Sequence, residues 1–238
     1  MIINNLLLTT EEIFSEIFES FEKKSGLLLT YLNQNSFNIY FKNKGYKELL
    51  DTKFKVYQAD TGVFLFLKCL NKGNVTRIDA TSVNKKILIK IIDMKIPICI
   101  IGSNYSEDFI NEECAKRNIN LAGYQHGYFN DSDMERIINK IKLLSSQVFF
   151  VGMGVPKQEI FASELNKALE NKVIICVGNF LEFYFGTIKR APKIFQKLGL
   201  EWMFRLITEP GRLWKRYLIG IPQFIFRSIK IILTKNYR

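Results

Sequence analysis

The stretch VFFVGMGVPKQE, residues 148–159, places an apolar run, a glycine-rich loop and the start of a helix in direct succession. Val148–Val151 shows no alternation of apolar and polar residues, which is typical of a strand buried on both faces of a parallel sheet. Pro156 stands where a helix can begin, because the first helical turn needs no hydrogen bond from that N–H. The stretch therefore predicts a strand–loop–helix unit of a layered α/β domain.

The same order of strand, loop and helix repeats on either side of this stretch. Further apolar runs that predict strands are Leu27–Leu32, Phe54–Tyr57, Ile98–Ile101 and Val173–Val177. Helical patterns lie at Ser106–Arg117, Asp131–Leu144 and Lys157–Leu169. Near the N-terminus, Thr9 to Glu12 has the pattern of a capping box, and Gly26 can close the helix that follows. The alternation predicts an α/β domain with a parallel sheet and right-handed crossovers.

Polar and glycine-rich segments follow the predicted strands. In α/β domains ligands bind beyond the carboxyl ends of the strands, so these segments are expected to form one continuous site. They are Thr30–Asn33, Asp60–Gly62, Gly102-Ser103, Gly123–Phe129, Gly152–Glu159 and Gly178-Asn179.

Composition limits the possible classes of protein. The 238 residues are 47% hydrophobic, which is enough for a sizeable core. The four cysteines, Cys69, Cys99, Cys114 and Cys176, are widely spaced and lie in apolar or helical contexts, which predicts buried free thiols in a reducing compartment. With one histidine, His126, a zinc site is not expected.

The positive charge is concentrated at the C-terminus. Residues 1–188 contain 22 Lys and Arg against 21 Asp and Glu, whereas residues 189–238 contain 12 against two. We therefore expect a nearly neutral body, residues 1–188, and a basic appendage, residues 189–238, that meets an anionic partner. The apolar run Tyr217–Leu233 contains Pro222, Gln223, Arg227 and Lys230, so no membrane-spanning helix is expected.

Candidate catalytic residues each have a structural alternative. Asp60 follows a strand and is a candidate general base, but its position alone favours an N-cap for the next helix. Gly152 and Gly154 either form a tight turn or cradle a phosphate at a helix N-terminus. Asp131 and Asp133 spell the DxD pattern of some metal-dependent sugar transferases, although acidic residues are also favoured in a first helical turn.

Five ordered motifs resemble the WecB/TagA/CpsF family of bacterial glycosyltransferases. The resemblance covers about residues 30–217. Its motifs are GYQHGYF at 123–129, GMGVPKQE at 152–159, GTIKRAP at 186–192, GLEWMFRL at 199–206 and TEPGR at 208–212.

The resemblance implies a Rossmann-like catalytic domain with a basic helical C-terminal appendage. It also implies an inverting transfer of a sugar, of the N-acetylmannosamine type or a related hexose, from a UDP-sugar donor. The acceptor would be a sugar on undecaprenyl diphosphate at the cytoplasmic face of the membrane, in cell-surface polysaccharide synthesis. Neither a cofactor nor a metal is implied.

Matched residue by residue, the resemblance assigns the general base to Asp60, reversing the preference from position alone. Thr61 stands between Asp60 and Gly62, where the family usually has Asp-Gly. The other implied catalytic residues are Thr30, Asn33 and Gln158. Implied substrate contacts are Arg77, Gly123, Tyr124, His126, Tyr128, Gly152, Gly154, Pro156, Glu159, Glu182, Arg190, Arg205, Arg212 and Arg216.

Two departures from the family pattern bear on the donor sugar more than on the reaction. Asp79-Ala80-Thr81-Ser82 has the form of the CpsF-like branch, and Glu182 stands where an aspartate is common.

Arg205 and Arg212, seven residues apart, are expected on one helical face, where two guanidinium groups suit a diphosphate.

The end of the appendage predicts a membrane-docking helix. Apolar residues recur there at helical spacing, with Arg227 and Lys230 on another face, as in helices that lie in the interface of an anionic membrane. The alternative is that the apolar stripe packs on the body or in a homo-oligomer. The apolar positions are Ile221, Phe224, Ile225, Ile229 and Ile232.

Two other functions compete with the transferase. A nucleic-acid-binding protein would explain the basic tail but none of the strand-end loops, so no nucleic-acid partner is expected. A non-catalytic subunit of polysaccharide assembly would keep the fold, but the intact Asp60, Thr30, Gln158 and Arg212 argue against it.

Overall fold

The computed structural model describes residues 2–4 and 6–234. Seven described strands form one parallel sheet: β1 (Leu6–Leu7), β2 (Leu27–Leu32), β3 (Lys55–Gln58), β4 (Ile98–Gly102), β5 (Leu121–Gln125), β6 (Val148–Gly152) and β7 (Val173–Cys176). Their spatial order is β1-β3-β2-β7-β6-β4-β5. The predicted α/β class with a parallel sheet is therefore confirmed.

Helices cover both faces of this sheet. The α-helices of the body are α1 (Thr10–Glu22), α2 (Gln34–Lys42), α3 (Lys44–Thr52), α4 (Thr61–Cys69), α5 (Ala80–Asp93), α6 (Glu107–Lys116), α7 (Met134–Lys142), α8 (Lys157–Ala168) and α9 (Phe180–Tyr184). Those of the appendage are α10 (Lys193–Leu198), α11 (Glu201–Thr208), α12 (Pro210–Trp214) and α13 (Gly220–Thr234), with a π-helical turn at Lys215–Ile219 between the last two. Short 3₁₀ turns lie at Ile2–Asn4 and Asp131–Asp133.

The order of the strands places a crevice between β4 and β6. The chain leaves β4 toward β5 on one side and leaves β6 toward β7 on the other. The loops after β4 and β6 therefore diverge, which is the topological switch point where ligands bind in open α/β sheets.

Burial on both faces explains the unbroken apolar runs. In β2, Leu28 and Leu32 belong to the core on one side of the sheet, whereas Leu27 and Leu29 belong to the core on the other. Alternate side chains of a strand point to opposite faces, so a strand between two helical layers needs apolar residues at both.

Three local predictions were wrong in detail. Helix α1 ends at Glu22, before Gly26, and the residue with positive φ after the helix is Lys24. Thr9 accepts from the Glu12 N–H at 3.2 Å as predicted, but Glu12 accepts from the Leu8 N–H at 2.6 Å and not from the Thr9 N–H. Cys69 is exposed, while the other cysteines are buried as predicted.

Helix α13 packs on α2 with part of its apolar surface. The ring of Phe224 contacts Phe37 edge-on, with 5.0 Å between centroids. Asn38 donates to the Gly220 carbonyl at 2.7 Å, and Arg227 Nη1 donates to Asn38 Oδ1 at 2.6 Å. Arg227 is therefore a contact to the body, not part of a solvent-facing basic stripe.

A second apolar face of the appendage lies in solvent. By length and composition alone, the continuous helical stretch 210–234 could cross a membrane. One side of it, however, contacts α2. The side chains of the exposed face are Leu218, Ile225, Phe226, Ile229 and Leu233.

Candidate active site

Asp60 caps α4 and lines a cavity between the body and the appendage. Its Oδ1 accepts from the Val63 N–H at 2.7 Å, and its Oδ2 accepts from the Gln34 N–H at 2.8 Å. Burial raises the pKa of the Asp60 carboxyl, while these two N–H groups and the charge of Arg216 oppose the rise. The capping role is confirmed, and the role of Asp60 as a base stays a prediction.

The Asp60 cavity has a volume of about 370 Å³ and is closed on one side by the appendage. The body contributes the predicted residues Asn33, Asp60 and Arg77, and the appendage contributes Arg205 and Arg216. Arg77 donates to the Gln196 carbonyl at 2.7 Å, which ties this wall to α10. Elements distant in sequence thus bring these five side chains together.

Arg205 lines the Asp60 cavity and approaches Glu209. Its side chain is only 18% exposed, and its guanidinium lies over the Phe183 ring, 5.7 Å from the centroid. Within the described part of the chain, its buried Nε and Nη2 donate to no hydrogen-bond acceptor, and Nη2 lies 3.9 Å from Glu209 Oε1. Buried N–H donors without partners carry a desolvation cost that an anionic ligand would remove.

A second cavity, of about 280 Å³, occupies the switch point between β4 and β6. We call it the switch-point cavity. Predicted residues that line it are Tyr128, Gly152, Gly154, Glu182 and Arg212, together with Ser103, Gly127, Met153, Asn179, Ile188 and Glu209.

The glycines of the switch-point cavity are required for different reasons. A Cβ on Gly152 would lie 2.6 Å from the Gly178 carbonyl oxygen, so this glycine permits close packing of two strand-end loops. Gly154 has a φ of +77°, and a Cβ there would meet nothing within 4 Å. Its backbone is therefore open toward the cavity, as expected for a loop that approaches a phosphate.

Acidic and basic side chains balance one another in the switch-point cavity. Arg212 Nε donates to Glu209 Oε2 at 2.8 Å, and Asn179 donates to Glu182 Oε2 at 2.6 Å. Burial raises the pKa of Glu182, with a further rise from Glu209 and an opposing effect from Arg212. Arg205 and Arg212 were expected on one helical face; the helix breaks at Glu209 and restarts at Pro210, but both guanidinium groups reach the Glu209 carboxylate.

An open groove of about 800 Å³ continues from the switch-point cavity over β5. Tyr128, which is 72% exposed, lines both spaces. Tyr124 and His126 line only the groove, with Phe129 beside them. Lys157 also lines it, donating to the Phe129 carbonyl at 2.8 Å and so fixing the loop after β5 to the start of α8.

Thr30, Gln158 and Glu159 form a fully buried cluster beneath the cavities. Thr30 Oγ1 and Gln158 Nε2 donate to Glu159 Oε1 at 2.7 and 2.8 Å. Gln158 Oε1 accepts from the Gly178 N–H at 3.1 Å, and burial raises the pKa of Glu159 to about 7. All three side chains have 0% exposure and contact one another, and the catalytic roles of Thr30 and Gln158 and the substrate contact of Glu159 stay predictions.

Three other predicted contact residues lie outside the cavities described. A Cβ on Gly123 would meet the Leu144 side chain at 2.5 Å, so packing requires this glycine. Pro156 follows a cis peptide bond at the start of α8. Arg190 forms ion pairs with Asp79 and Glu201, which join the appendage to the start of α5.

The DxD pattern adopts a structural role. Asp131 and Asp133 form the 3₁₀ turn before α7, and Asp133 pairs with Arg136 at 3.1 Å. Among residues 2–4 and 6–234, no group of three or more His, Cys, Asp or Glu side chains is arranged to hold a metal.

Sequence reasoning gave no role to several residues that line these cavities. Glu209 lies inside the quoted motif TEPGR, but only its contacts with both arginines reveal its position. Trp202 and Glu201 also line the Asp60 cavity, and the motif GLEWMFRL contains both.

Residues 3–238 match the model of the glycosyl transferase WecG/TagA/CpsF family. The match covers nearly the entire chain, and the chain belongs to this family of glycosyltransferases of bacterial cell-surface glycan synthesis.

Proposed function

We propose, from this membership and the geometry of the site, that the protein transfers a sugar from a UDP-sugar to an acceptor sugar on a polyprenyl diphosphate, with inversion. The observation that carries the proposal is the position of Asp60, a carboxylate at a strand end in a cavity also lined by Arg205 and Arg216. A sugar hydroxyl is a weak nucleophile, and a carboxylate within hydrogen-bond reach can accept its proton as the new bond forms.

The donor would extend along the row of strand ends. In our proposal the diphosphate occupies the switch-point cavity, beside the open backbone of Gly154 and the guanidinium of Arg212. The nucleoside then points toward the groove, where Tyr124 and Tyr128 offer aromatic surfaces. The transferred sugar points toward Asp60, across the boundary that Arg205 and Glu209 form.

Arginines are proposed to stabilise the departing UDP. The leaving diphosphate gains negative charge as the glycosidic bond breaks, and preorganised cations at that position lower the barrier. Arg205 suits this task because its buried N–H groups are not already saturated by hydrogen bonds.

We propose that no divalent metal is required, and that activity survives excess EDTA. Loss of turnover on chelation, with recovery on adding manganese, would revive the DxD interpretation.

The lipid-linked acceptor is proposed to arrive from an anionic membrane surface at the cytoplasmic face. The exposed apolar face of the appendage includes Phe226, which is 71% exposed, and Ile229. Exposed Lys215 and Lys230 lie on the same helical stretch and would be attracted to anionic headgroups. The ion pairs that Arg190 and Arg212 form within the protein leave less of the tail charge for a nucleic acid.

The proposal is tested by measuring UDP release. Purified protein is supplied with UDP-N-acetylmannosamine or related UDP-hexoses and with a polyprenyl-diphosphate-linked sugar. We expect UDP release that depends on both substrates. Release from no donor, with intact binding to polysaccharide-assembly proteins, would favour the non-catalytic subunit instead.

A further inference from the structure

Glu209 lies at the boundary between the Asp60 cavity and the switch-point cavity. Its Oε2 accepts from Arg212 Nε at 2.8 Å and from Arg212 Nη2, and its Oε1 faces Arg205 Nη2 at 3.9 Å. Arg205 lines one cavity, while Glu209 and Arg212 line the other. One carboxylate therefore spans the two guanidinium groups nearest to the boundary.

The charge of this region leaves little attraction for a further anion. Two arginines, Arg205 and Arg212, stand against two carboxylates, Glu182 and Glu209. The diphosphate of a nucleotide brings further negative charge to the same space. Unless one carboxylate withdraws, a like-charge contact opposes binding, and the Nε and Nη2 donors of Arg212 are already occupied by Glu209.

The backbone around Glu209 allows its side chain to withdraw. Helix α11 ends at Thr208, and α12 begins at Pro210, so Glu209 belongs to neither helix. Its N–H donates to the Arg205 carbonyl at 2.9 Å, and its carbonyl accepts from the Leu213 N–H at 3.1 Å. The main chain is thus held at both sides, and a side-chain rotation breaks no helical hydrogen bond.

We propose that the Glu209 carboxylate occupies the place of the donor's diphosphate in the ligand-free protein and leaves the arginines when the donor binds. The inference rests on the proposed function, since it takes the ligand to be a nucleoside diphosphate. Glu209 thereby sets the affinity of the site for diphosphates, and it keeps Arg205 and Arg212 from binding other anions.

A positioning role would have the opposite consequence. If Glu209 only held Arg212 in the orientation that substrate requires, then loss of its charge would loosen the guanidinium and weaken binding. The 3.9 Å separation from Arg205 and that residue's unbonded donors argue against simple positioning, because a positioning carboxylate should satisfy both arginines.

The experiment compares Glu209→Gln with wild type by calorimetric titration of UDP, inorganic pyrophosphate and uridine. Glutamine keeps an acceptor oxygen but removes the charge. We expect UDP and pyrophosphate to bind about three- to tenfold more tightly to the variant, and uridine binding to be unchanged. The matched control is Glu113→Gln, which removes the same charge from an arginine pair on α6, with Arg117. It should leave all three affinities unchanged.

Each result has a distinct meaning. Equal or weaker binding of UDP and pyrophosphate by Glu209→Gln overturns the inference while leaving the proposed function standing. Tighter pyrophosphate binding with no UDP binding by any variant supports the inference and contradicts a UDP donor. A gain of affinity in Glu113→Gln of the same size also overturns it, because net charge alone would then explain the effect. Absence of binding by every variant and both phosphate probes overturns the inference and the proposed function together.

Discussion

The Asp60 cavity and the switch-point cavity both contain arginine side chains, but their charges are arranged differently. In the Asp60 cavity, Asp60 is held by backbone N–H groups, and no ion pair closer than 4 Å joins it to Arg216 among the described residues. In the switch-point cavity, Arg212 is paired directly with Glu209. The first arrangement leaves the Asp60 carboxylate available for proton transfer. In the second, an anionic ligand can replace Glu209 as the partner of Arg212. We infer that the Asp60 cavity carries out the chemistry and that the switch-point cavity binds the nucleotide.

The largest expected effect comes from removing the carboxylate of Asp60, the proposed general base. Asp60→Asn should lower turnover by about 10²–10⁴-fold, because an amide cannot accept the acceptor's proton. The amide oxygen can still cap α4 at the Val63 N–H, but the amide NH2 then faces the Gln34 N–H, so the melting temperature should fall by a few degrees. UDP release measures the first effect and thermal unfolding the second. Activity within threefold of wild type would contradict the assignment of Asp60.

The exposed face of the appendage should affect membrane binding without altering either cavity. Combining Phe226→Ser with Ile229→Ser removes apolar surface from the solvent side of α13 and should weaken sedimentation with phosphatidylglycerol vesicles by about tenfold or more. Leu143→Ser, at an exposed leucine of the body, is the matched control. Removing the whole segment after Tyr217 is a less direct test, because it uncovers Phe37. Unchanged sedimentation of the double variant at physiological salt argues against docking by this face.

The binding role of the switch-point cavity is sharpened by one glycine. Gly154→Val should weaken UDP binding by about tenfold, because a side chain would enter the space that a phosphate needs. Gly186→Val is the control for backbone strain, since Gly186 also has a φ of +77° and open space around it. Both variants should lose a similar, small amount of thermal stability. Equal UDP affinities in the two valine variants would assign Gly154 to the fold.

The smallest expected effect concerns the buried cluster beneath both cavities. Burial raises the pKa of Glu159 to about 7, above its value in the unfolded chain. The folded protein therefore holds a proton that the unfolded chain has lost, and stability should fall as pH rises from about 4.5 to 7. We expect the melting temperature to drop by about 5 °C over this range, and Glu159→Gln to flatten the profile. Tyr31, Tyr46 and Cys176 are other titratable groups that interact with this carboxyl. An identical profile in the variant would contradict the assignment.

The strands buried on both faces were predictable because their apolar runs are continuous. β2 matches its prediction residue for residue. β1 has two residues at an edge, and β5 contains Gly123 and Gln125, so neither has a run long enough to mark it.

Many of the residues that line the two cavities were predictable, but their pairings were not. Thr30 and Glu159 lie 129 positions apart and form one hydrogen bond that no local pattern encodes. The number of charges in the appendage follows from the sequence, but the partners of those charges could not be predicted. Arg190 and Arg227 contact partners that only the folded chain brings near.

The central claim, that one cavity performs the chemistry and the other binds the nucleotide, is tested most directly by titrating UDP into the Asp60→Asn protein. If the nucleotide lies at the switch point, the dissociation constant should stay within about twofold of wild type, although the variant has lost turnover. A loss of UDP affinity of tenfold or more in this variant would place the nucleotide against Asp60 and contradict the division between the two cavities.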